Sequence, residues 1–318
     1  MMAAQWAIPM SLRIAVLGRG AWGQTLIDLW EREGHSVRSW SRRDGGHPAA
    51  VLASADLVVL AVAMAGLEPL AQQLQGCWPD GAPLLSCTKG IDLERLETPT
   101  QFWQRRLPAV EMLVLSGPNL ATELQRGLPA ASVLATDHPE RALPLQVALS
   151  ASCLRLYTNG DRVGTEVAGA LKNVMAVAAG ICDGMALGAN AKASLLCRGL
   201  AEIGIAVAGL GGRSSTLYGL AGLGDLLATA NSPLSRNYRF GLSLAEGMLP
   251  DAAMAKIGAT VEGPRTAAAA LGLAEQHGWS LPICAQVVRL LNGETSPAEA
   301  ARALMQRDLR SEAEEPQP

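Results

Sequence analysis

The sequence predicts an α/β protein in two parts: a doubly wound, mainly parallel sheet in the N-terminal half and an all-α C-terminal domain. Three observations predict it. Short apolar runs alternate with helical periods from Arg13 to Tyr157, the pattern of successive βαβ units. A Gly-x-Gly-x-x-Gly stretch, Gly18 to Gly23, joins the first apolar run to the first helical period. After about Gly160 strand-like runs stop and helical spacing takes over.

Taken in order, Arg13–Leu17 (RIAVL) is the first strand and Gln24–Glu33 a helix that stops at Gly34. His35–Trp40 is the second strand. Leu57–Ala63 reads as a fully buried strand, followed by a helix over Leu67–Leu74. Leu84–Cys87 ends in Thr88-Lys89-Gly90 and precedes a helix over Pro99–Arg106. Met112–Ser116 ends in Gly117-Pro118-Asn119, with a helix over Leu120–Gln125 beyond it. Ala131–Ala135 and Leu154–Tyr157 complete the strands, and a helix over Pro139–Leu149 lies between them. The turn Asn159–Asp161 is the expected boundary between a dinucleotide-binding domain, residues 11–160, and a helical domain, residues 161–318. The segment MMAAQWAIPMSLR reads as a frayed extension before the first strand, and Ser311–Pro318 as a loose polar tail.

Composition narrows the function classes. The chain has 318 residues, 49% of them apolar and 17% charged, with net charge −3. That suits a compact globule and argues against nucleic acid as a partner, since no basic block is present. No apolar run reaches the roughly 18 uncharged residues of a membrane span, and the N-terminus lacks the basic and apolar regions of a signal peptide. The six cysteines form no CxxC pair and read as buried free thiols of a cytoplasmic protein. The four histidines show no metal-ligand spacing, so no metal is expected, and no HExxH, GxSxG or GxxxxGK[ST] motif occurs.

The glycine loop implies a nucleotide. Gly18 makes the tight turn, Gly20 lets backbone approach a pyrophosphate, and Gly23 packs the helix on the strand. The helix N-terminus that follows adds N–H donors and partial positive charge, and Ala21 and Trp22 of the loop are counted with the cofactor site. A generic strand–helix turn is the bland alternative. The second strand ends in Ser41-Arg42-Arg43, where an NAD-selective site places an acid. Arg42 and Arg43 suit a 2′-phosphate, so NADP(H) is the expected preference, with NAD(H) tolerated. Two solvated arginines are the alternative.

The helical half opens on GALKNVMAVAAGICDG (Gly169–Gly184), which sets Lys172 and Asn173 in an apolar run. Ala168, Gly169, Met175, Ala176 and Ala179 share the face of Lys172 and leave room for a ligand. The stripe Gly180, Gly184, Gly188 reads as a close-packing surface. A partly buried lysine needs polar partners or its pKa falls, and either outcome suits catalysis; a structural lysine reaching solvent is the alternative. Lys89 and Ser116–Asn119 follow strand ends, where open α/β sheets bind ligands. Gly219–Gly241 adds Asp225, Thr229, Ser235, Arg236 and Asn237. A ketone reduction needs a cation and a proton for the developing oxyanion. Lys172 and Lys89 are the two lysines in such surroundings, and either can hold that role.

GRGAWG, SCTKGID, SGPNLATEL, EVAGALKNVMAVAAGI, CRGLAEI, GLAGLGDLLAT, SRNYRFG and VEGPRTA, in this order from Arg13 to Thr266, resemble the bacterial NAD(P)-dependent glycerol-3-phosphate dehydrogenases. The resemblance implies a Rossmann domain, reduction of dihydroxyacetone phosphate to sn-glycerol 3-phosphate, and supply of that product to phospholipid synthesis. It implies that Lys172 is the acid/base, that Asn173 and Asp225 orient it and hold the substrate hydroxyls, and that Lys89 binds substrate beside the nicotinamide. It further implies that Gly117, Asn119 and Ala121 line the crevice. Ser235, Arg236 and Asn237 grip the phosphate, Arg236 also reaching the cofactor; Glu262 touches the cofactor, and Trp22 packs beside the pyrophosphate loop. A homodimer is plausible on general grounds. Arg19 in the glycine loop, Gly23-Gln24-Thr25 at the helix start, a short segment between Trp40 and Asp56, and Ala63 after the third strand depart from the family pattern. Other two-domain dehydrogenases and a catalytically silent redox sensor are the rival readings; the Ser235-Arg236-Asn237 cluster argues against the first, and the polar set Lys172, Asp225 and Arg236 against the second.

Overall fold

The computed structural model describes residues 11–308. The readings for residues 1–10 and for the tail Ser311–Pro318 lie outside the described residues. Leu12, expected in a frayed extension, is instead buried and donates its N–H to His35 Nδ1 at 3.0 Å.

The N-terminal half runs β1 (Arg13–Leu17), α1 (Ala21–Arg32), β2 (Ser36–Trp40), α2 (Ala49–Leu52), β3 (Leu57–Leu60), α3 (Leu67–Gln73), β4 (Leu84–Ser86), α4 (Pro99–Arg106), β5 (Met112–Ser116), α5 (Ala121–Gln125), β6 (Ala130–Ala135), α6 (Pro139–Leu149) and β7 (Leu154–Asn159). The strands form one sheet in the order β2-β1-β3-β4-β5-β6-β7. Every neighbouring pair is parallel except β5 with β6. Ala15, Val16, Leu17 and all of β3 are fully buried, because helices cover both faces of the sheet; that is why these strands read as unbroken apolar runs. Leu26, Trp30, Leu145 and Leu149 of α1 and α6 pack on one face, and Leu52, Leu67, Phe102 and Trp103 of α2, α3 and α4 on the other. The third strand stops at Leu60, three residues short of its expected end, and a single 3-10 turn over Met64–Gly66 follows. The four-residue α2 fills the short segment after Trp40; no helix was expected there.

All later described elements are helices: α7 (Arg162–Gly184), α8 (Ala189–Gly209), α9 (Ser214–Leu217), α10 (Asp225–Ala230), α11 (Arg236–Ala245), α12 (Pro250–Ile257), α13 (Gly263–His277), α14 (Pro282–Leu291) and α15 (Pro297–Met305). A π-helical turn, Leu220–Gly224, leads directly into α10. Asp161 starts α7 by accepting the Gly164 N–H at 2.8 Å. Helices α8, α9, α10, α11, α13 and α14 pack around α7, which is buried almost all round. By length and mean hydropathy (1.2) α7 would pass for a membrane span, but 83% of that window is buried inside the protein.

Glycines let α7 and α11 touch backbone to backbone. A Cβ on Gly180 would stand 2.1 Å from the Tyr238 carbonyl oxygen, and one on Gly241 2.1 Å from that of Val177. Gly184 likewise faces Ala245. The expected three-glycine stripe ends there: Gly188 lies beyond the helix at φ +88°, with open space at its Cβ. The cysteines are all free, and Cys87, Cys153, Cys182 and Cys284 are buried as expected, but Cys77 is half-buried and Cys197 exposed.

Candidate active site

The site lies where the C-terminal ends of β4 and β5 meet α7. Gly169 allows this approach, since a Cβ there would stand 2.7 Å from Ser116 Oγ and 4.0 Å from Lys89 Cδ. Arg162 and Glu166, in the first turns of α7, hold the two halves together. Arg162 pairs with Asp137 at 2.8 Å, and Glu166 accepts the Thr100 N–H at 2.9 Å.

One carboxylate organises the centre. Asp225, at the first position of α10, accepts Lys172 Nζ on Oδ1 at 2.9 Å and Lys89 Nζ on Oδ2 at 2.5 Å. Lys89 also donates to the Gly117 carbonyl at 3.1 Å, and Lys172 to Thr229 Oγ1 at 2.6 Å. Thr229, one turn along α10, passes its own hydrogen to Asp225 Oδ1 at 3.0 Å. Both lysines are thereby fixed on one anion reached from three elements.

The electrostatics follow from burial. Burial pulls the Lys172 ammonium down to about 8; Asp225 opposes that pull, while Lys89 and Arg236 add to it. Burial alone would raise Asp225, but the two ammonium groups outweigh it and hold the carboxyl below its usual range. With all three ionised the cluster carries one surplus positive charge, next to a carboxylate that stays charged. Below this centre, burial pushes the Cys87 thiol up to about 12, against a Trp22 hydrogen bond and the charge of Lys89, so it is no nucleophile.

Asn173 connects the centre to the start of α11. Its Oδ1 accepts Asn237 Nδ2 at 2.9 Å, and Asn237 Oδ1 accepts the Gly263 N–H at 2.9 Å. Ser235 Oγ accepts the Tyr238 N–H at 3.2 Å, capping α11. Arg236, next in sequence, is exposed. Glu262 reaches back across the cleft, where Oε1 accepts the Met64 N–H at 3.3 Å. Burial raises its carboxyl, against that bond and the nearby Arg236 and Arg265.

The glycine loop fits the pyrophosphate of a dinucleotide. Gly18 has φ +111°, and a Cβ on Gly23 would stand 1.9 Å from the Gly18 carbonyl oxygen; a Cβ on Gly20 meets nothing within 4 Å, so that side is open to a ligand. The N-terminus of α1 has no side-chain cap and no acid in its first turn, leaving its N–H donors available. Trp22 packs against the adjoining core. Arg42 and Arg43 are exposed just past β2, whose end adjoins the loop through the Gly18 N–H and Trp40 carbonyl at 2.9 Å.

The structure thus brings Lys89, Gly117, Lys172 and Asp225 together, whereas Asn173, next to Lys172 on α7, bonds Asn237 and not the lysine. It places Arg236 and Glu262 along the cleft, and Ala121 at the start of α5. Asn119 is held by Ser132 Oγ, while its Nδ2 is buried without a partner. Asn237 spends Nδ2 and Oδ1 on internal bonds and Ser235 Oγ accepts the helix cap, so Arg236 is the exposed cation of the three. Thr229 had no role from sequence alone; its place four residues after Asp225 on a helix is the signal that marks it.

Two family profiles match the chain: the NAD-dependent glycerol-3-phosphate dehydrogenase N-terminus over residues 46–142 and the C-terminus over residues 161–302. A relative from Synechococcus sp. (strain RCC307), named a glycerol-3-phosphate dehydrogenase of NAD(P)+, is 55% identical over 95% of this chain and 100% of its own. The chain belongs to the NAD-dependent glycerol-3-phosphate dehydrogenase family. A second relative of that name, from Synechococcus sp. (strain JA-2-3B'a(2-13)), is 48% identical over 94% of this chain and 95% of its own. The crystal structure of glycerol-3-phosphate dehydrogenase from Coxiella burnetii superposes with a TM-score of 0.89 at 33% identity, covering 94% of this chain and 100% of that one. The yeast enzyme, at 20% identity and a TM-score of 0.79, shares the fold. Membership in this family settles the class: an NAD(P)-linked oxidoreductase whose Rossmann half is followed by a helical half.

Proposed function

We infer that the chain interconverts dihydroxyacetone phosphate and sn-glycerol 3-phosphate with NAD(P)H, supplying the backbone for phospholipid synthesis, and that Lys172 is the proton donor. The observation that carries the reading is the sharing of Asp225 by Lys172 and Lys89 at the strand ends, in a chain of this family. When bound, NAD(P)H supplies the hydride that adds to the carbonyl carbon. The carbonyl π pair then moves onto oxygen, and Lys172 meets that charge and gives up its proton to form the alcohol. A pKa of about 8 suits this task, because the group is charged at neutral pH yet gives up its proton readily.

Lys89 serves as a fixed cation beside the reacting oxygen, and Asp225 holds both ammonium groups in place. Thr229 keeps Lys172 aimed. Arg236 grips the substrate phosphate from the first turn of α11, and Asn173 and Asn237 set its distance from Lys172. Gly117, Asn119 and Ala121 line the crevice. Gly18, Gly20, Ala21, Trp22 and Gly23 hold the pyrophosphate, and Glu262 closes on the nicotinamide end. Arg42 and Arg43, with no acid at the strand end, favour NADP(H) over NAD(H). We assign residues 11–160 to cofactor binding and 161–318 to substrate. We place the enzyme in the cytoplasm, where its unpaired thiols suit a reducing medium, as a homodimer, the commonest assembly.

The test is direct. Purified protein is mixed with dihydroxyacetone phosphate and either NADPH or NADH, and cofactor absorbance is followed for wild type and Lys172→Ala. Substrate-dependent oxidation that collapses in the variant supports both the reaction and the role. Near wild-type rates in the variant would transfer the proton to Lys89. A wild type that binds NADPH but ignores this ketone would overturn the substrate.

A further inference from the structure

The adenosine end of the cofactor cleft holds an arrangement that the reading above does not use. Arg19 stands inside the glycine loop, between Gly18 and Gly20. Its guanidinium crosses to the turn after β2, where NH1 donates to Asp44 Oδ2 at 2.8 Å. Both side chains are about half exposed, at 42% and 52%. The turn that carries Asp44 is well built. The Asp44 N–H donates to the Ser41 carbonyl at 3.1 Å, and the Arg43 N–H to Ser41 Oγ at 3.2 Å. Trp40 Nε1 closes it from below, donating to the carbonyls of Gly45 and Gly46 at 3.1 Å each. Arg42 and Arg43 are exposed on this turn and make no ion pair among the described residues.

This arrangement inverts what an NAD site needs. There, an acid at the end of the second strand takes the ribose hydroxyls. Here Asp44 is the one acid of the 41–46 turn, and it is committed to Arg19. We propose that Arg19 is a cofactor-discriminating residue, the third cation of a site for the 2′-phosphate of NADP(H), with Asp44 as its exchangeable counter-ion. The inference rests on the NADP(H) preference argued above and extends it to a residue on a different element.

The physical reason is competition for one guanidinium. A half-exposed ion pair gains little in water. A phosphate offers three acceptor oxygens and more charge than one carboxylate, and a guanidinium fork matches it. Arg19 therefore exchanges Asp44 for the 2′-phosphate when NADP(H) arrives. NAD(H) brings no such group, so the Arg19–Asp44 pair persists, and Asp44 stays unavailable to the ribose. Asp44 itself repels the phosphate and weakens the preference that the arginines create.

Calorimetric titration with NADP+ and with NAD+ tests this on wild type, Arg19→Ala, Asp44→Asn and the double variant Arg42→Ala/Arg43→Ala, at low and high salt. Losing one charge-assisted contact should weaken NADP+ binding by about tenfold in Arg19→Ala, leave NAD+ nearly unchanged, and flatten the salt dependence for NADP+. Asp44→Asn should bind NADP+ more tightly and NAD+ as before. Equal losses for both cofactors in Arg19→Ala would assign Arg19 to the pyrophosphate loop and overturn the proposal, as would no loss for either. If the double variant loses the preference while Arg19→Ala keeps it, the NADP(H) reading stands and the role of Arg19 fails. A wild type that binds both cofactors equally would remove the NADP(H) reading itself.

Discussion

Two carboxylates of the helical half are buried to the same depth and have opposite fates. Asp225 is 2% exposed and Glu202 4%. Asp225 faces two ammonium groups and stays ionised below its usual range. Glu202, on α8, faces no ammonium group at close range among the described residues and accepts the N–H groups of Ile283 and Cys284 at the start of α14, at 2.6 and 3.2 Å. Burial pushes its carboxyl up to about 7, against those two bonds, a Cys284 thiol and the distant Arg307. Burial alone does not decide protonation; the charge of the partner does. The chain uses the first arrangement to hold two lysine cations and the second to cap a helix.

Removing the cations should have the largest effect. Lys172→Ala should lower kcat for ketone reduction by a factor on the order of 10²–10⁴ with little change in cofactor binding, measured by steady-state kinetics and calorimetry. Equal losses in kcat and in cofactor affinity would mean that the helix had collapsed. Lys89→Ala should act mainly on substrate binding, raising KM for dihydroxyacetone phosphate more than it lowers kcat, because Lys172 and Asp225 remain paired.

Asp225→Asn breaks the comparison from the other side. It leaves two ammonium groups facing each other without their anion, so the Lys172 pKa falls well below about 8. The wild-type reduction should decline as pH rises through about 8, since the protonated amine is the donor, and oxidation should climb over the same range. In Asp225→Asn the decline should move to lower pH by more than about one unit, read from kcat/KM profiles. An unmoved profile would show that Lys172 does not set it. Gly180→Ala, which drives a methyl into the Tyr238 carbonyl, should cost about 1–3 kcal/mol by denaturant melts.

The sheet was legible because strands covered on both faces cannot alternate; RIAVL and LVVL announce themselves. The glycine loop and Lys89, just past the end of β4, were legible because ligands of such sheets bind there. What escaped depends on contacts between distant segments. Nothing local in Gly219–Gly241 states that Thr229 meets Lys172, 57 residues away, or that Ser235 spends its hydroxyl on a cap. The resemblance supplied the grouping of Lys172 with Asp225, and the structure supplied its reason, one carboxylate divided between two elements. Gly188 shows the converse failure: a spacing of four suggested a packing stripe, but the helix had already ended.

Glu202 gives the smallest expected effect. Its carboxyl is held above the value of an unfolded chain, so the folded state binds a proton that the unfolded state has lost. Stability from this group is therefore present below about pH 4.5 and is lost as pH rises through about 7. Glu202→Gln keeps an acceptor for one of the two N–H groups and removes the charge. Relative to wild type the variant should gain on the order of 1–2 kcal/mol between pH 5 and 8, read as a difference in denaturant midpoints at the two pH values. A parallel loss at both would mean that the second N–H bond, and not the buried charge, dominates. In that case the contrast with Asp225 would be one of hydrogen bonding and no longer one of partner charge.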